Sequence, residues 1–450
     1  MIKTTSRKFC DCDICKNKLS FKLPQEIIDA TIKGDLVIFA GAGISTENYT
    51  IFKETLYDDV KYDLELDKNY LISFPELMSR FCKTQTNGRQ QLLEKIKYRF
   101  DYCHQFSELY RVATRFHSEI APFWMINNII TTNWDDYFER ECNAIPMVTA
   151  EDFAFYKVPQ RKVFKIHGSI SNYGSIVATT EDYEKCYKEL NKGLLGSYIK
   201  TLLATKLLVF VGYSFRDYDF NRIYNFLRKE MKDVIPHSYI ITLDEDLENR
   251  INPKNTTVIK TDGIYFFSTL RKHFENKKII IPEENFKLIY FIEDLRHAAH
   301  DLVMKEFQTN KCSNLIFCAM YQDGIQHALD YLKFKSKSGE SYNLKHLMDS
   351  YFSYKLQLRK KISKARNYMD LAYIDGYIQG LSIPFAYNSP DKFPFFYLFG
   401  KGPITNSKLF KKAIDEGKIF HQSAEAYGKH FFKELLKRGN ELVPHHRPFI

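Results

Sequence analysis

The chain has 450 residues, of which 44% are hydrophobic and 27% charged, with a formal net charge of +10. That length exceeds what one compact core holds, so two domains preceded by a short arm are expected. No apolar run approaches the roughly 18 residues a membrane-spanning helix needs, and Lys-rich solvated faces explain the mild basic excess, so neither a membrane partner nor direct nucleic-acid binding is expected.

The N-terminus, MIKTTSRKFCDCDICK, has no apolar signal core and no small-residue cleavage site, which predicts a cytoplasmic location and reduced thiols for the nine cysteines. Residues 1–29 are read as an arm. Its Cys10, Cys12 and Cys15 are close enough to share a metal, but a tetrahedral zinc needs a fourth ligand. The nearest cysteines are Cys82 and Cys103, and a reduced, unstructured arm is the preferred reading.

Residues 30–277 repeat one unit: a short apolar or β-branched run, a turn rich in Gly, Asn or Ser, then a helical pattern. The runs are LVIFA, NIITTN, KVFKIHG, KLLVFVG, SYIITL and TTVIKT. Continuous apolar strands alternating with helices predict an α/β fold, a doubly wound, Rossmann-like parallel sheet covered on both faces. From Tyr57 to Phe116 the alternation gives way to patterns such as NYLISFPELMSRFC and QQLLEKIKYRF, a helical insertion that walls the crevice.

Beyond IIIPEENF, residues 278–450 show apolar residues at helical spacing with Lys and Arg between them, which predicts a mainly α-helical C-terminal domain. Within it, SIPFAYNSPDKFPFFYLFGKGPI is either a loop docked on the bundle or an exposed apolar contact surface. His297 and His300 lie one turn apart without a third ligand and are taken as ordinary helix residues. The basic stretches KFKSKSG and LRKKISKARNY are taken as solvated faces.

Ligands of doubly wound sheets bind outside the carboxyl ends of the strands, and four predicted strand ends carry unusual residues. The first ends in Gly41, Ala42, Gly43 and Ser45, able to offer backbone N–H groups to a pyrophosphate. The dinucleotide fingerprint also wants a third glycine and an acidic residue about 20 positions on; the chain instead continues TENYTIFKETL, which disfavours a dehydrogenase. The second end places Thr132, Asn133 and Asp135 where they suit a carboxamide or sugar hydroxyls, with helix capping an equally open reading. The third places His167 beside Gly168, where it is either a structural histidine or, within reach of the crevice, suited to moving a proton near neutral pH. The fourth offers Gly212 for close approach and Ser214 for a phosphate or ribose oxygen, while Asp217 and Asp219 lead the next helix.

GAGIS, TTNWD, KIHGS and GYSFRD, in this order over roughly residues 30 to 275, resemble the sirtuin family. The resemblance implies NAD in the cleft and cleavage of its nicotinamide–ribose bond. It puts the NAD-phosphate loop on Gly41, Ala42, Gly43 and Ser45, nicotinamide and ribose contacts on Asn133 and Asp135, a histidine base on His167, and a ribose or phosphate loop on Gly212 and Ser214. Deacylating sirtuins carry two Cys-x-x-Cys pairs between the histidine and the later loop. Here only Cys186 lies between His167 and Gly212, so no zinc is expected in this domain. The family's Pro-Asp-Phe-Arg segment is absent too, and Phe52 in its place is expected to cover the ribose.

The stretch IVATTEDYEKCYKELNKGLLGSYIKTLL resembles its counterpart in bacterial sirtuin-like NAD hydrolases of antiphage defence. That resemblance implies hydrolysis of NAD to nicotinamide and ADP-ribose, with NAD depletion as the effector step of abortive infection. Asn133 would then position the ribose or the attacking water, and His167 would accept a proton. A homo-oligomer is implied, with a motor ATPase, a short Argonaute or a phage-sensing protein as a second defence component. A protein deacylase, an ADP-ribosyltransferase and a non-catalytic NAD sensor are the competing readings.

Overall fold

The computed structural model describes residues 16–45, 51–213, 229, 236–244, 247, 255–310, 312–437 and 445–448, without the side chains of residues 308, 350, 435 and 436. Cys10, Cys12, Cys15, Ser214, Asp217 and Asp219 lie outside the described residues. The chain divides after His273 into two compact units.

Seven parallel strands form the first unit's sheet: β1 Leu36–Ala40, β2 Asn128–Thr131, β3 Ile145–Met147, β4 Lys162–Lys165, β5 Leu207–Val211, β6 Ser238–Thr242 and β7 Thr256–Lys260, in the order β3-β4-β2-β1-β5-β6-β7. Every residue of β1, β5 and β6 is buried, as helices on both faces require. All six apolar runs became strands. The seventh, β3, escaped the sequence reading because it is three residues long with Pro146 at its centre. Proline cannot complete a central ladder, and β3 accordingly lies at the sheet edge.

In this order β1 is flanked by β2 on one side, register Val37 to Asn128, and by β5 on the other, register Leu36 to Leu207. The chain winds outward from β1 through β2, then crosses back to β5. The gap between the carboxyl ends of β1 and β5 is therefore the topological switch point, where a doubly wound sheet leaves room for a ligand.

Arg161 fixes the opposite ends of β2 and β4. Its buried guanidinium donates from Nε to Ile126 O (2.8 Å), from Nη2 to Phe123 O (2.8 Å) and from Nη1 to Cys142 O (3.2 Å). It satisfies carbonyls on the segment entering β2 and at the end of the helix Tyr137–Cys142, groups that would be costly to bury unpaired.

The insertion is helical as expected: Leu56–Asp63, Phe74–Thr84, Gly88–Gln105, Ser107–Ala113 and Arg115–Ile120. A capping box starts the first of these. Asp58 N–H donates to Thr55 Oγ1 and Thr55 N–H to Asp58 Oδ2, both at 3.1 Å. Leu77, Met78, Phe81, Leu92 and Ile96 bury their apolar faces against one another and against Tyr137, Ile176 and Ala178. At about 1.5–3 kcal/mol per buried large side chain, this core fastens the insertion to the segments that follow β2 and β4. Arg89 adds a hydrogen bond to Ile176 O (2.7 Å) and an ion pair to Asp182 (2.8 Å).

The described residues that precede the helix Gln25–Lys33 begin at Lys16. Phe21 stacks on Phe266 with centroids 5.0 Å apart, and Asn17 O and Leu19 O accept hydrogen bonds from Asp262 N–H and Thr261 Oγ1. This part of the expected arm packs beside the end of β7.

The second unit is mostly helical, with Glu283–Thr309, Ser313–Ser338, Ser353–Ala365, Tyr368–Leu381, Ser407–Asp415 and Gln422–Lys437 as its longer helices. Ser313–Ser338 and Tyr368–Leu381 meet backbone to backbone. A Cβ on Gly324 would lie 2.0 Å from Tyr373 O, and one on Gly376 would lie 1.9 Å from Tyr321 O. The Phe-rich stretch is docked, with Phe393, Phe395, Phe396 and Leu398 buried, so the exposed-surface alternative does not hold for these residues. Within it, β8 Phe396–Leu398 and β9 Gly402–Ile404 pair as an antiparallel hairpin that helical periodicity could not reveal.

Candidate active site at the switch point

The loops after β1 and β5 are in contact. Gly41 N–H donates to Val211 O (2.9 Å) and Gly43 N–H to Gly212 O (3.0 Å). A Cβ on Gly41 would sit 2.6 Å from Gly212 O and 2.7 Å from the Tyr213 ring, and Gly212 has φ +76°. The glycines thus serve close approach of two backbones, with Gly212 in the left-handed region that glycine tolerates. Ile44 and Ser45 N–H also donate to loop carbonyls, of Gly41 and Ala42. Among the described residues this leaves the Ala42 amide and the Ser45 hydroxyl, not the whole run of amides, as the donors this loop can turn to a phosphate.

Asn133 joins this loop to the end of β2. Its backbone N–H donates to Thr131 Oγ1 (3.0 Å), and its side-chain Nδ2 donates to Gly41 O (3.1 Å) and Ser45 Oγ (3.2 Å). The residue is 6% exposed, and its Oδ1 is buried with no hydrogen-bond partner among the described residues. A buried amide oxygen without a donor is costly, and here it lies at the switch point, presenting an acceptor whose orientation two other bonds have fixed.

Thr132 is tied to the same place from the other side. Its hydroxyl lies 3.1 Å from Tyr213 Oη, which also donates to Ala40 O (3.0 Å). Tyr213 therefore latches β1, β2 and β5 together. Sequence reasoning passed over it, although GYS at a strand end placed it beside Gly212.

Asp135 bonds the chain at the entry to a helix whose N-cap is Asp136. Its Oδ1 accepts from Tyr137 N–H (3.3 Å) at the start of the helix Tyr137–Cys142 and lies 4.0 Å from His117 Nε2. His117 is fully buried, and burial pushes its imidazole down to about 4 against the nearby Asp135 charge. The structure thus places Asp135 in the support beneath Asn133.

Lys165 is a second residue the sequence reading missed, although a lysine inside an apolar strand was its signal. Buried at the end of β4, its Nζ donates to the Asp135 carbonyl and to Glu139 Oε1 (3.1 Å). Burial raises the Glu139 carboxyl, an effect the Lys165 charge opposes. Lys165 ties the Asn133 loop to the strand that delivers His167 two residues later.

His167 is 2% exposed, in contact with the rings of Tyr183 (centroids 4.8 Å) and Tyr187 (6.2 Å) on the helix Thr180–Lys192. Its carbonyl accepts from Val177 N–H (3.0 Å). Gly168, φ +82°, turns the chain where a Cβ would be 2.1 Å from Ser175 O. The imidazole is thereby held by aromatic faces on an element that the insertion braces through Asp182.

Phe52 takes its place on the insertion. The Arg99 guanidinium lies 4.0 Å from its ring centroid, and Tyr102 is 5.6 Å away. In the second unit His300 bonds Gln322 while His297 is exposed, and no group of three metal-ligating side chains exists among the described residues.

These features define a doubly wound α/β domain whose polar groups converge at the β1/β5 switch point. Residues 127–267 match the family model described as a SIR2-like domain; that match takes in Asn133, His167 and Gly212 and begins after the Gly41 loop. The chain is 29% identical over 213 residues to the NAD(+) hydrolase ThsA of Cytobacillus dafuensis, covering 46% of this chain and 40% of that one. It is 25% identical over 329 residues to the NAD(+) hydrolase ThsA of Enterococcus faecium, covering 69% and 61%. A third relative, defense-associated sirtuin 2 of Bacillus subtilis, is 26% identical over 231 residues, covering 49% and 22%. The matches thus span between about a fifth and three fifths of the relatives' own lengths.

Proposed function

We propose that the first unit hydrolyses NAD+ at the nicotinamide–ribose bond, releasing nicotinamide and ADP-ribose, and that NAD depletion is its role in antiphage defence. The observation that carries this reading is Asn133. Its amide nitrogen is occupied by Gly41 O and Ser45 Oγ, which leaves a fixed, unpartnered oxygen at the switch point. The groups that suit the dinucleotide are the donor amide at Ala42 and the Ser45 hydroxyl, beside Asn133. The printed names of the Cytobacillus and Enterococcus relatives support the same substrate.

In this mechanism Asn133 Oδ1 accepts a hydrogen bond from the attacking water or from a ribose hydroxyl and orients it towards the anomeric carbon. His167 takes the proton as the oxocarbenium-like centre is captured, a contribution of roughly 10² to 10⁴ in rate. Lys165 and Asp135 keep the Asn133 loop in register with β4. The second unit restrains this activity through self-association or a partner protein; exposed Tyr290, Phe291, Phe334 and Tyr354 support that assignment. Asn133→Ala and His167→Ala should each abolish nicotinamide release from activated protein while circular dichroism stays unchanged. Wild-type hydrolysis in either folded variant would refute the assignment.

A further inference from the structure

The helix Thr180–Lys192 grips the strand end that carries His167 at three points, all from one of its faces. Tyr183, Cys186 and Tyr187 are three and four residues apart, the spacing that brings side chains together on a helix. The Tyr183 ring centroid lies 4.8 Å from that of His167 and the Tyr187 centroid 6.2 Å, both within the range of ring contact. The two tyrosines also stack on each other, 6.3 Å apart with 29° between their planes. The Cys186 thiol donates to Ile166 O (3.3 Å), one residue before the histidine. Tyr183 is 2% exposed, as His167 is, so rotation of the imidazole meets a closely packed wall.

The other end of this brace is the insertion. Thr180 N–H donates to Ser79 Oγ (2.8 Å) on the helix Phe74–Thr84, and the Ser79 hydroxyl donates to Glu181 Oε2 (3.1 Å). With the Arg89–Asp182 ion pair, these bonds fix the first turn of the helix on which Tyr183 stands. The geometry points to Tyr183 as a positioning residue: its ring, backed by Tyr187, holds the His167 imidazole in the orientation from which it takes the proton during NAD+ hydrolysis. This inference rests on the hydrolysis proposed above. Acting through His167, Tyr183 contributes to the chemical step and not to the affinity for NAD.

The test uses the full chain and two readouts, with circular dichroism to confirm that each variant folds. The first is nicotinamide release from activated protein. Tyr183→Leu removes the ring and should lower kcat about 10- to 100-fold with KM unchanged, the effect of a slightly misplaced reacting group. Tyr183→Phe keeps the ring and should keep kcat near wild type. Tyr187→Leu, at the more distant ring, should lower kcat by less than Tyr183→Leu. The second readout is carbethoxylation of His167 by diethyl pyrocarbonate, followed by mass spectrometry, which needs no NAD turnover. Wild type and Tyr183→Phe should label slowly, and Tyr183→Leu several-fold faster because the imidazole is uncovered. Unchanged kcat in Tyr183→Leu, a loss explained by KM, a Tyr183→Phe variant as impaired as Tyr183→Leu, or equal labelling of all three would each overturn the positioning role. Wild-type protein that shows the expected labelling yet releases no nicotinamide under any condition would refute the hydrolysis itself, and the role in proton transfer with it.

Discussion

Replacing Gly41 and Gly212 separately by alanine distinguishes steric from conformational demands at the switch point. Gly41 has φ −106° and ψ 179°, extended backbone open to any residue, so Gly41→Ala meets only crowding, its Cβ 2.6 Å from Gly212 O and 2.7 Å from the Tyr213 ring. Overpacking of that kind costs about 1–3 kcal/mol, offset by about 0.4–1 kcal/mol from the stiffer unfolded chain. Gly212→Ala meets comparable crowding, 2.6 Å from Ile44 Cγ2 and 2.9 Å from Gly41 O, and must also hold φ +76°. The left-handed region adds about 1–2 kcal/mol. Gly212→Ala should therefore be the less stable of the two by at least about 1 kcal/mol, near 2–4 °C in the first unit's transition.

Both substitutions push the β1 and β5 loops apart and should also remove the rise in unfolding temperature that the proposed function predicts on adding NAD. That rise corresponds to about 2.7 kcal/mol at a hundredfold excess over Kd. Differential scanning calorimetry with and without NAD, in a His167→Ala background to prevent turnover, reads both effects. An unfolding temperature for Gly212→Ala equal to or above that of Gly41→Ala, or an undiminished NAD response in either, would refute the reasoning.

Other consequences can be measured in the same protein. His117 is neutral in the fold, its pKa depressed from 6.5 to about 4, so the unfolded chain binds the extra proton between those values. Stability should fall as pH drops from 6.5 towards 4, by up to about 3 kcal/mol, and urea titrations of His117→Phe should show a shallower loss; an unchanged slope would exclude His117 as the cause. Arg161→Lys should cost several kcal/mol, since one ammonium cannot serve Ile126, Phe123 and Cys142 carbonyls in the plane of a guanidinium; wild-type stability by chemical denaturation would contradict this. Lys165→Met should destabilise by about 3–5 kcal/mol by stranding Glu139, and Lys165→Met/Glu139→Leu should recover most of it; a double variant no more stable than the single would show that the Asp135 carbonyl contact dominates.

The parallel sheet was legible because its central strands β1, β5 and β6 are buried on both faces and so read as unbroken apolar runs. β3 was not, since three residues around Pro146 carry no period. At the site, the glycines and the polar strand ends could be named from sequence, and the structure brings Gly41, Ser45, Thr132, Asn133 and Gly212 together. What sequence could not show is which hydrogen-bonding groups were already used. Most of the Gly41–Ser45 amides bond within the protein, and Asp135 accepts from Tyr137 N–H beside His117. Partners of this kind depend on registers between β1, β2 and β5, pairings distant in sequence. Lys165 and Tyr213 each stood out locally, but what they bond lies across strands, on the Asp135 carbonyl and Glu139 and on Ala40 O and Thr132.

The proposed hydrolysis is tested most directly by incubating the full chain with NAD, alone and with candidate activating partners, and separating the products by chromatography. Stoichiometric nicotinamide and ADP-ribose, formed without any acyl-peptide acceptor and absent with Asn133→Ala, is the predicted result. NAD consumed only when an acyl peptide is supplied, with the acyl group transferred, would contradict the account and identify a deacylase.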